Sequence, residues 1–236
     1  MQTPEPFVKL MKGANLVLEL ARLPVAQLCF ERRLNPTAIL DAYTNFTRPH
    51  PRYKVFGNKS MGVALIDLAR FDNVGSYLDA VRHHGHAGPQ SRKAAARGYR
   101  LRRIDRNEHL DEIHAIHVSI PERQGRPMDE SYVTRRTSYP EEPHCECHGV
   151  FDAGGRLAAY CNVALFGNFA ATDQLMGYRN NDGMMYLLLS HIVCGLIEAR
   201  RVNWFMYDTW FGGNHGLREF KRRVGFQPYR ARYRLV

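Results

Sequence analysis

The sequence contains few cysteines and no long apolar run. Its five cysteines show no framework spacing and are Cys29, Cys145, Cys147, Cys161 and Cys194. Their odd number, together with the lack of a signal-peptide pattern at Met1-Gln2-Thr3-Pro4, predicts a reducing, cytoplasmic setting rather than a disulfide scaffold. The longest apolar segment begins at Met184, is interrupted by Ser190 and His191, and is too short to cross a bilayer.

The signatures of several enzyme classes are also missing. The sequence has no G-x-S-x-G motif, no Walker loop and no Rossmann fingerprint. No cysteine lies in a recognisable Cys/His setting, so nothing predicts a covalent nucleophile. Internal repeats and low-complexity tracts are absent as well, and an apolar content of 44% is enough to fill the core of an ordinary globular protein.

Acidic residues are outnumbered by basic ones. There are 23 Asp and Glu against 33 Lys and Arg, which gives a net charge of +10. This surplus favours an anionic partner such as nucleic acid, a phosphorylated cofactor or an anionic membrane surface, and general basicity without such a partner explains it equally well. The excess lies in two segments, residues 82–106 and residues 218–234. These two clusters indicate an anion-binding face.

Apolar periodicity and capping residues predict the elements of the first two thirds of the chain. A helical segment from Phe7 to Leu34 is divided at Pro24, and Asn35-Pro36-Thr37 begins a short helix through Tyr43. Further predictions follow in chain order. They are a strand over 61–68, a helix that begins near Val74 and breaks at Gly88-Pro89, a basic helix capped by Ser91 and ended by Gly98, a strand over 99–104, a helix from Asn107 or Glu108 to Pro121, and a helical turn within 129–137.

The last third is predicted as a run of strands and helices. It comprises a strand over 148–151, a turn over 152–155, a strand over 157–166, an irregular segment, a helix over 184–200, a strand over 203–208, a corner at Gly212-Gly213-Asn214, a basic helix that ends at Gly225-Phe226, and a strand over 229–235. We therefore predict an α/β (α+β) fold with a mixed central sheet flanked by helices. Residues 1–60 form a helical extension, and residues 61–236 form the core domain.

Residues 213–228, GNHGLREFKRRVGFQP, fit the pattern G-L-x-x-F-K-x-x-x-G-F-x-P. This stretch resembles the closing helix and turn of GNAT-like acyltransferases, and of their FemAB-like branch most of all. Residues 91–99, SRKAAARGY, resemble the segment that precedes a strand in those proteins. The resemblance covers roughly residues 76–236. It implies a GNAT-like fold, an acyltransferase activity, and acyl-CoA (acetyl-CoA) as co-substrate.

The resemblance also places the cofactor. In GNAT proteins the turn before the long helix presents backbone N–H groups to the cofactor pyrophosphate, and a helix N-terminus is suited to bind an anion. The corresponding residues here are Tyr178, Arg179, Asn180, Asp182, Gly183 and Met184, joined by Asn214, Phe220 and Lys221 from the closing helix. The family's R/Q-x-x-G-x-G/A motif is absent, and FemAB-like relatives that also lack it include users of aminoacyl-tRNA. The alternative is that Asp182 is only a helix N-cap.

Catalytic candidates come from the end of the strand over 203–208. Ligands of open α/β sheets bind beyond the carboxyl ends of strands. We expect Asp208 to hold or deprotonate an amine and Tyr207 to protonate a leaving group. The alternative is that Asp208 caps a turn and Tyr207 belongs to the core. Asp173 and Glu146 are weaker base candidates.

Acceptor binding is predicted on a basic loop. Arg123 and Arg126, with Gln124 between them, suit the binding of a carboxylate or phosphate by paired guanidinium groups. Trp210 is a further candidate. The alternative is that the two loop arginines are simply solvated, as arginines in loops commonly are.

Two histidine-rich stretches are weighed as metal sites. In His144-Cys145-Glu146-Cys147-His148, strand alternation sends the thiols to one face and the other three side chains to the opposite face. No second ligand pair complements them, so an ordinary strand with buried thiols, and no metal, is expected. A solvated loop is the expectation for His83-His84-Gly85-His86.

The leading prediction is an N-acyltransferase that moves an acyl group from an acyl-CoA to an amine acceptor, by direct attack in a ternary complex. The acceptor is a small molecule or a peptide amine. One alternative is aminoacyl-tRNA-dependent transfer. The other is a nucleic-acid-binding or modifying protein on the same fold, since Arg230, Arg232 and Arg234 share one face of the last strand.

Overall fold

A computed structural model of the chain describes residues 19–51, 54–84, 87–123, 126–211 and 213–236. For His83, His84, Arg123 and Arg126 only the backbone is described. Several sequence predictions therefore lie outside the described residues, namely the helix before residue 19, Gln124, and part of the His83–His86 stretch.

The structure contains ten strands and seven α-helices among its described elements. The strands are β1 Val25–Phe30, β2 Val63–Asp67, β3 Arg100–Arg103, β4 Glu122–Arg123, β5 Arg126–Pro127, β6 Cys145–Phe151, β7 Leu157–Leu165, β8 Phe169–Gly177, β9 Trp204–Thr209 and β10 Gln227–Leu235. The α-helices are α1 Pro36–Thr47, α2 Val74–His84, α3 Ala87–Ala96, α4 Leu110–Val118, α5 Glu130–Val133, α6 Met184–Ala199 and α7 His215–Val224.

Eight of the strands form one mixed sheet in the order β1-β10-β2-β9-β8-β7-β6-β3. The β1/β10 and β8/β9 pairs are parallel, and the other neighbours are antiparallel. α2, α3 and α6 pack on one face of the sheet around a core that includes Tyr77, Leu188 and Phe205. α4 packs on β7 and β8 on the opposite face. The predicted fold class is confirmed.

Capping residues set the helix boundaries where the sequence predicted them. The Asn35 side chain accepts a hydrogen bond from Ala38 N at the start of α1, and the Asn214 side chain accepts one from Leu217 N at the start of α7. Gly225 ends α7 with a φ of 106°, a left-handed conformation that glycine adopts without a steric cost. α6 and β9 also lie where they were predicted.

Three element predictions were wrong. Residues 25–30 form a strand and not a helix, because parallel pairing with β10 along the whole strand outweighs a weak local helical pattern. The segment taken as irregular before α6 contains β8, whose backbone is paired with β7 over its whole length. α3 begins at Ala87, four residues before Ser91, because a proline is tolerated in the first turn of a helix.

The sheet curls so that its edge strand β1 meets the turn between β7 and β8. Asn168 at this turn accepts a hydrogen bond from Cys29 N at 2.7 Å and donates one to Gln27 O at 3.0 Å. Gly167 permits this approach, since its φ is 151° and an added Cβ would lie 2.3 Å from Cys29 O. The curled half encloses an aromatic core built from Phe30, Phe46, Phe166, Phe169 and Tyr233. The described residues before position 60 are thus packed on the same sheet as the rest.

Candidate functional site

A cleft opens between β8 and β9 at their carboxyl ends. The two parallel strands pair over three residues only, the last being Ala171 with Met206. Beyond this point β8 stays paired with β7 as far as Gly177, and β9 stays paired with β2 as far as Thr209. Because each strand follows its other neighbour, the two strands separate, and the backbone between them is left without a partner strand.

The cavity at this separation has a volume of about 280 Å³, and we call it the strand cleft. Its lining is mostly polar and comes from β8, β9, α5, α7 and the loop before β2. The side chains that carry chemistry are Lys59, Asp129, Tyr132, Thr172, Asp173, Tyr207, Asp208 and Lys221. The structure therefore brings together Tyr207, Asp208, Asp173 and Lys221, four residues that the sequence singled out.

Lys221 lies at the centre of this group and is 2% exposed. Its Nζ donates to the backbone carbonyls of Tyr207 and Thr209, at 2.8 Å each, and lies 4.3 Å from the centre of the Tyr207 ring. Burial lowers the pKa of Lys221 to about 8, and Asp208 opposes this effect. The neutral form of this amine is therefore accessible slightly above neutral pH, so the side chain can both accept and donate a proton.

Asp208 is held in an ion pair with Lys59, whose Nζ lies 2.5 Å from Oδ1. Burial acts to raise the pKa of Asp208, but the charge and hydrogen bond of Lys59, and the charge of Lys221, lower it overall. Its backbone is left-handed, with a φ of 49°, which is uncommon outside glycine. A carboxylate with a lowered pKa is a weak base, so this geometry favours an electrostatic role for Asp208.

A second cavity, of about 680 Å³, adjoins the strand cleft and is called the loop cavity. The two cavities share Leu175, Tyr207 and Leu217. Tyr178, Arg179, Asn180 and Asn214, all predicted to bind the cofactor, line the loop cavity. It lies beside the N-terminus of α6, where Gly183 provides no side-chain cap.

The other residues that were predicted to bind the cofactor make contacts within the protein. Asp182 is bound by Arg97 and by the Tyr99 hydroxyl, and Met184 is 1% exposed. Gly183 has a φ of 86°, and an added Cβ would lie 2.3 Å from Gln90 O. Phe220 packs against Tyr186, with ring centres 4.7 Å apart. These four residues fix the walls of the loop cavity and do not line it.

Two further candidates lie away from the cleft. Glu146 on β6 pairs with Arg201 at 2.8 Å and with Arg103 at 3.8 Å. Trp210 packs against the core shared by α6 and β9, and its backbone N–H donates to Gly62 O. The structure therefore does not bring either residue to the reaction site. Arg123 and Arg126 pair across the β4–β5 hairpin, which borders the strand cleft through Pro127.

The His144–His148 stretch forms β6 and its entry. Cys145 and Cys147 face one side, where they line a small cavity with Arg106 and Glu142. Burial raises the pKa of both thiols to about 12, so they stay protonated. Among the described side chains, no three His, Cys, Asp or Glu groups are arranged to hold a metal ion. None of the helices described is both long enough and apolar enough to cross a membrane.

No pattern in the sequence indicated Lys59, Asp129 or Tyr132 as site residues. Lys59 lies in a turn-rich segment, and only its position four residues before a buried strand could have suggested a site. Tyr132 and Asp129 belong to the short helix α5 and its N-cap. Their approach to β8 is a tertiary contact that no local pattern encodes.

Comparison with known proteins shows likeness in structure alone. No family model matches the sequence, and no curated protein matches it. The crystal structure of FemX superposes with a TM-score of 0.57 at 11% identity, over 83% of this chain and 66% of that one. The C-terminal domain of a putative lysylphosphatidylglycerol synthetase from Agrobacterium fabrum gives a TM-score of 0.48 at 16% identity, over 71% and 57%. L-PGS from Bacillus licheniformis gives 0.47 at 15%, over 72% and 59%.

The chain thus spans between about half and two thirds of the length of these solved chains. At such low identities the likeness concerns the fold. The chain therefore shares the fold of FemX, and this GNAT-like fold is the one that the closing-helix resemblance implied.

Proposed function

We propose that this protein is an N-acyltransferase that moves an acyl group from an activated donor to an amine acceptor in the strand cleft. The observation that carries the proposal is the position of Lys221. It is a buried amine with a pKa of about 8, at the point where two parallel strands separate. Open cavities lie on both sides of this point, which gives room for two substrates at one reacting centre.

Acyl transfer to an amine requires three events. The amine nitrogen must lose a proton, its lone pair must attack the acyl carbon, and the bond to the leaving group must break. The acceptor ammonium first releases one proton to solvent. Neutral Lys221 can then take a second proton from the nitrogen as it attacks the acyl carbon, and protonated Lys221 can pass that proton to the leaving thiolate or alkoxide. The products are an amide, a protonated leaving group and one proton in solvent, so charge and protons balance.

Backbone geometry supports this role for Lys221. Two of its N–H groups donate to the carbonyls of Tyr207 and Thr209. In the neutral amine, the nitrogen lone pair is then available to a substrate in the cleft. In the ammonium, a third N–H occupies the position of that lone pair. The developing negative charge on the acyl oxygen would be stabilised by the same ammonium, or by Lys59.

We propose acyl-CoA as the donor, bound along the loop cavity. That cavity borders the end of β8, and its lining includes the polar residues Arg179, Asn180 and Asn214. These groups suit a narrow chain with amide linkages and a phosphate end. The uncapped N-terminus of α6 lies next to it.

One observation favours aminoacyl-tRNA instead. The polar groups of the loop before α6 are already bonded within the protein, since Asn180 Oδ1 accepts a hydrogen bond from Asp182 N and the Asp182 carboxylate is paired with Arg97. A pyrophosphate would have to compete with both. This makes tRNA-dependent aminoacyl transfer the second candidate.

Donor binding can be measured by thermal unfolding with acetyl-CoA, CoA and bulk tRNA, each titrated separately. A donor at about 100 times its Kd is expected to raise the Tm by about 5–10 °C in a chain of this size. Arg179→Gln should reduce the shift caused by acetyl-CoA. Arg82→Gln, which alters an exposed ion pair on α2, should leave the shift unchanged.

A shift with CoA species alone supports the leading proposal. A shift with tRNA alone, reduced steeply by salt, replaces acyl-CoA by aminoacyl-tRNA as the donor. Stabilisation by neither ligand at saturating concentration would contradict the proposal.

A further inference from the structure

A buried histidine links one wall of the strand cleft to the central sheet. His117 on α4 is 4% exposed, and Tyr160 on β7 is 0% exposed. Nδ1 of His117 lies 3.1 Å from the backbone carbonyl oxygen of Tyr132 on α5, and Nε2 lies 2.6 Å from the hydroxyl oxygen of Tyr160. The rings of His117 and Tyr132 also pack edge to face, with centres 4.9 Å apart. His117 therefore joins α5 to β7 through both of its ring nitrogens.

Hydrogen-bond chemistry fixes the orientation of this ring. A carbonyl oxygen only accepts, so Nδ1 of His117 carries the hydrogen of its bond to Tyr132. In the neutral ring Nε2 is then an acceptor, and the Tyr160 hydroxyl donates to it. Burial raises the pKa of Tyr160, so the hydroxyl keeps the hydrogen that this bond needs. Because an unpaired polar group is costly inside a core, rotation of the His117 ring away from either partner is unfavourable.

The element that His117 holds, α5, has little stability of its own. It is four residues long and has no side-chain cap, and the hydrogen bonds that its backbone N–H groups donate run between residues 129 and 134. A single helical turn is marginal in water unless tertiary contacts support it. Those contacts are the bond from His117 and the packing of Met128 and Tyr132 against Ile113 and Ile116 of α4. The position of α5 therefore depends on α4.

This segment borders the strand cleft and not the loop cavity. Pro127, Asp129 and Tyr132 line the strand cleft, and the lining of the loop cavity comes from other residues. A shift of α5 would therefore change the space for the acceptor and leave the donor cavity as it is. We infer that His117 is a positioning residue, which holds the Tyr132 carbonyl and so keeps α5 in place as the wall against which the acceptor amine binds. The inference rests on the proposed function, since it concerns the acceptor of the same cleft.

A matched pair of hydroxyl deletions tests this. Tyr160 and Tyr139 are buried in the same core cluster, but the Tyr139 hydroxyl lies outside the bonds that hold His117. With acetyl-CoA and butylamine as substrates, Tyr160→Phe should raise the KM for the amine by about three- to tenfold, the size expected for one buried hydrogen bond. His117→Gln should do the same. The KM for acetyl-CoA and kcat should stay unchanged, and Tyr139→Phe should change none of these constants. A merely structural role would lower the Tm and leave the amine KM as in wild type.

Hydrogen exchange of the Tyr132, Val133 and Thr134 amides, measured without substrates, reports the position of α5 independently of turnover. Exchange should be faster in Tyr160→Phe than in wild type, and unchanged in Tyr139→Phe. If wild type forms no product, only the proposed function fails, and faster exchange in Tyr160→Phe alone still supports the positioning of α5. Equal exchange in the two variants, or an amine KM that Tyr160→Phe leaves unchanged, overturns the inference and leaves the acyltransferase proposal intact.

Discussion

At the scale of single residues, the site depends on three charges that control one another. Lys59 fixes Asp208 as an anion, and Asp208 opposes the effect of burial on Lys221. The sequence predicted Asp208 as the general base, because it ends a strand. The ion pair with Lys59 argues for a different division of roles, in which Lys221 moves the proton and Asp208 sets its pKa.

Replacing Asp208 by Asn separates these two roles. Asparagine adopts a left-handed backbone readily, so the φ of 49° should be kept. Without the anion, the pKa of Lys221 should fall below its value of about 8. We expect the variant to stay active, with the rise of kcat with pH moved to lower pH, as measured at saturating substrates between pH 6 and 10. An inactive variant over this whole range would instead support Asp208 as the base.

At the scale of elements, the closing of the sheet depends on the β7–β8 turn. Asn168 occupies the hydrogen-bonding edge of β1, an edge that would otherwise be open to other strands. Gly167 allows the two backbones to approach. The aromatic core enclosed by the curled sheet depends on this contact.

A matched pair of glycine substitutions tests this closure. Gly167→Ala should destabilise the protein by about 2–4 kcal/mol, because its φ is unfavourable for alanine and the added Cβ meets Cys29 O. Gly195→Ala, in α6 with open space around it, should stabilise by about 0.5–1 kcal/mol. Urea unfolding measures both changes. Equal effects of the two substitutions would show that the turn does not hold the sheet closed.

Element prediction succeeded where a local signal existed. Asn214, Gly225 and the apolar segment of α6 fixed the helices of the last third. It failed for β1, whose partner β10 lies far along the chain, and for β8, which forms a hairpin with the adjacent β7. Strand preference depends strongly on such neighbours, so for β1 no window of sequence contains the deciding information.

At the scale of the whole molecule, the strands that belong to the two basic clusters lie far apart in the sheet. β3 lies at one edge of the sheet, and β10 lies next to the opposite edge. Many of these arginines are also neutralised within the chain; they include Arg82, Arg97, Arg103, Arg106, Arg222 and Arg223. Net charge alone is therefore weak support for a nucleic-acid partner, and an anion-binding face stays a prediction.

Only part of the site could be predicted from the sequence, for a related reason. Tyr207, Asp208 and Lys221 lie near one another along the chain, and their shared strand–helix unit was visible. Lys59 and Asp129 reach the same cleft from segments about 150 and 80 residues away in the sequence. Only the packing of β2 and α5 beside β9 and β8 brings their charges to the cleft.

The most direct test of the central claim is mass-spectrometric detection of an acylated amine, with wild type and Lys221→Gln compared at equal concentration. Acetyl-CoA and a primary aliphatic amine such as butylamine are the substrates. The account predicts that wild type forms the N-acetyl product and that Lys221→Gln is slower by about 100-fold or more, with thermal unfolding showing both proteins folded. A Lys221→Gln variant that is folded and transfers the acyl group at the wild-type rate would contradict the account.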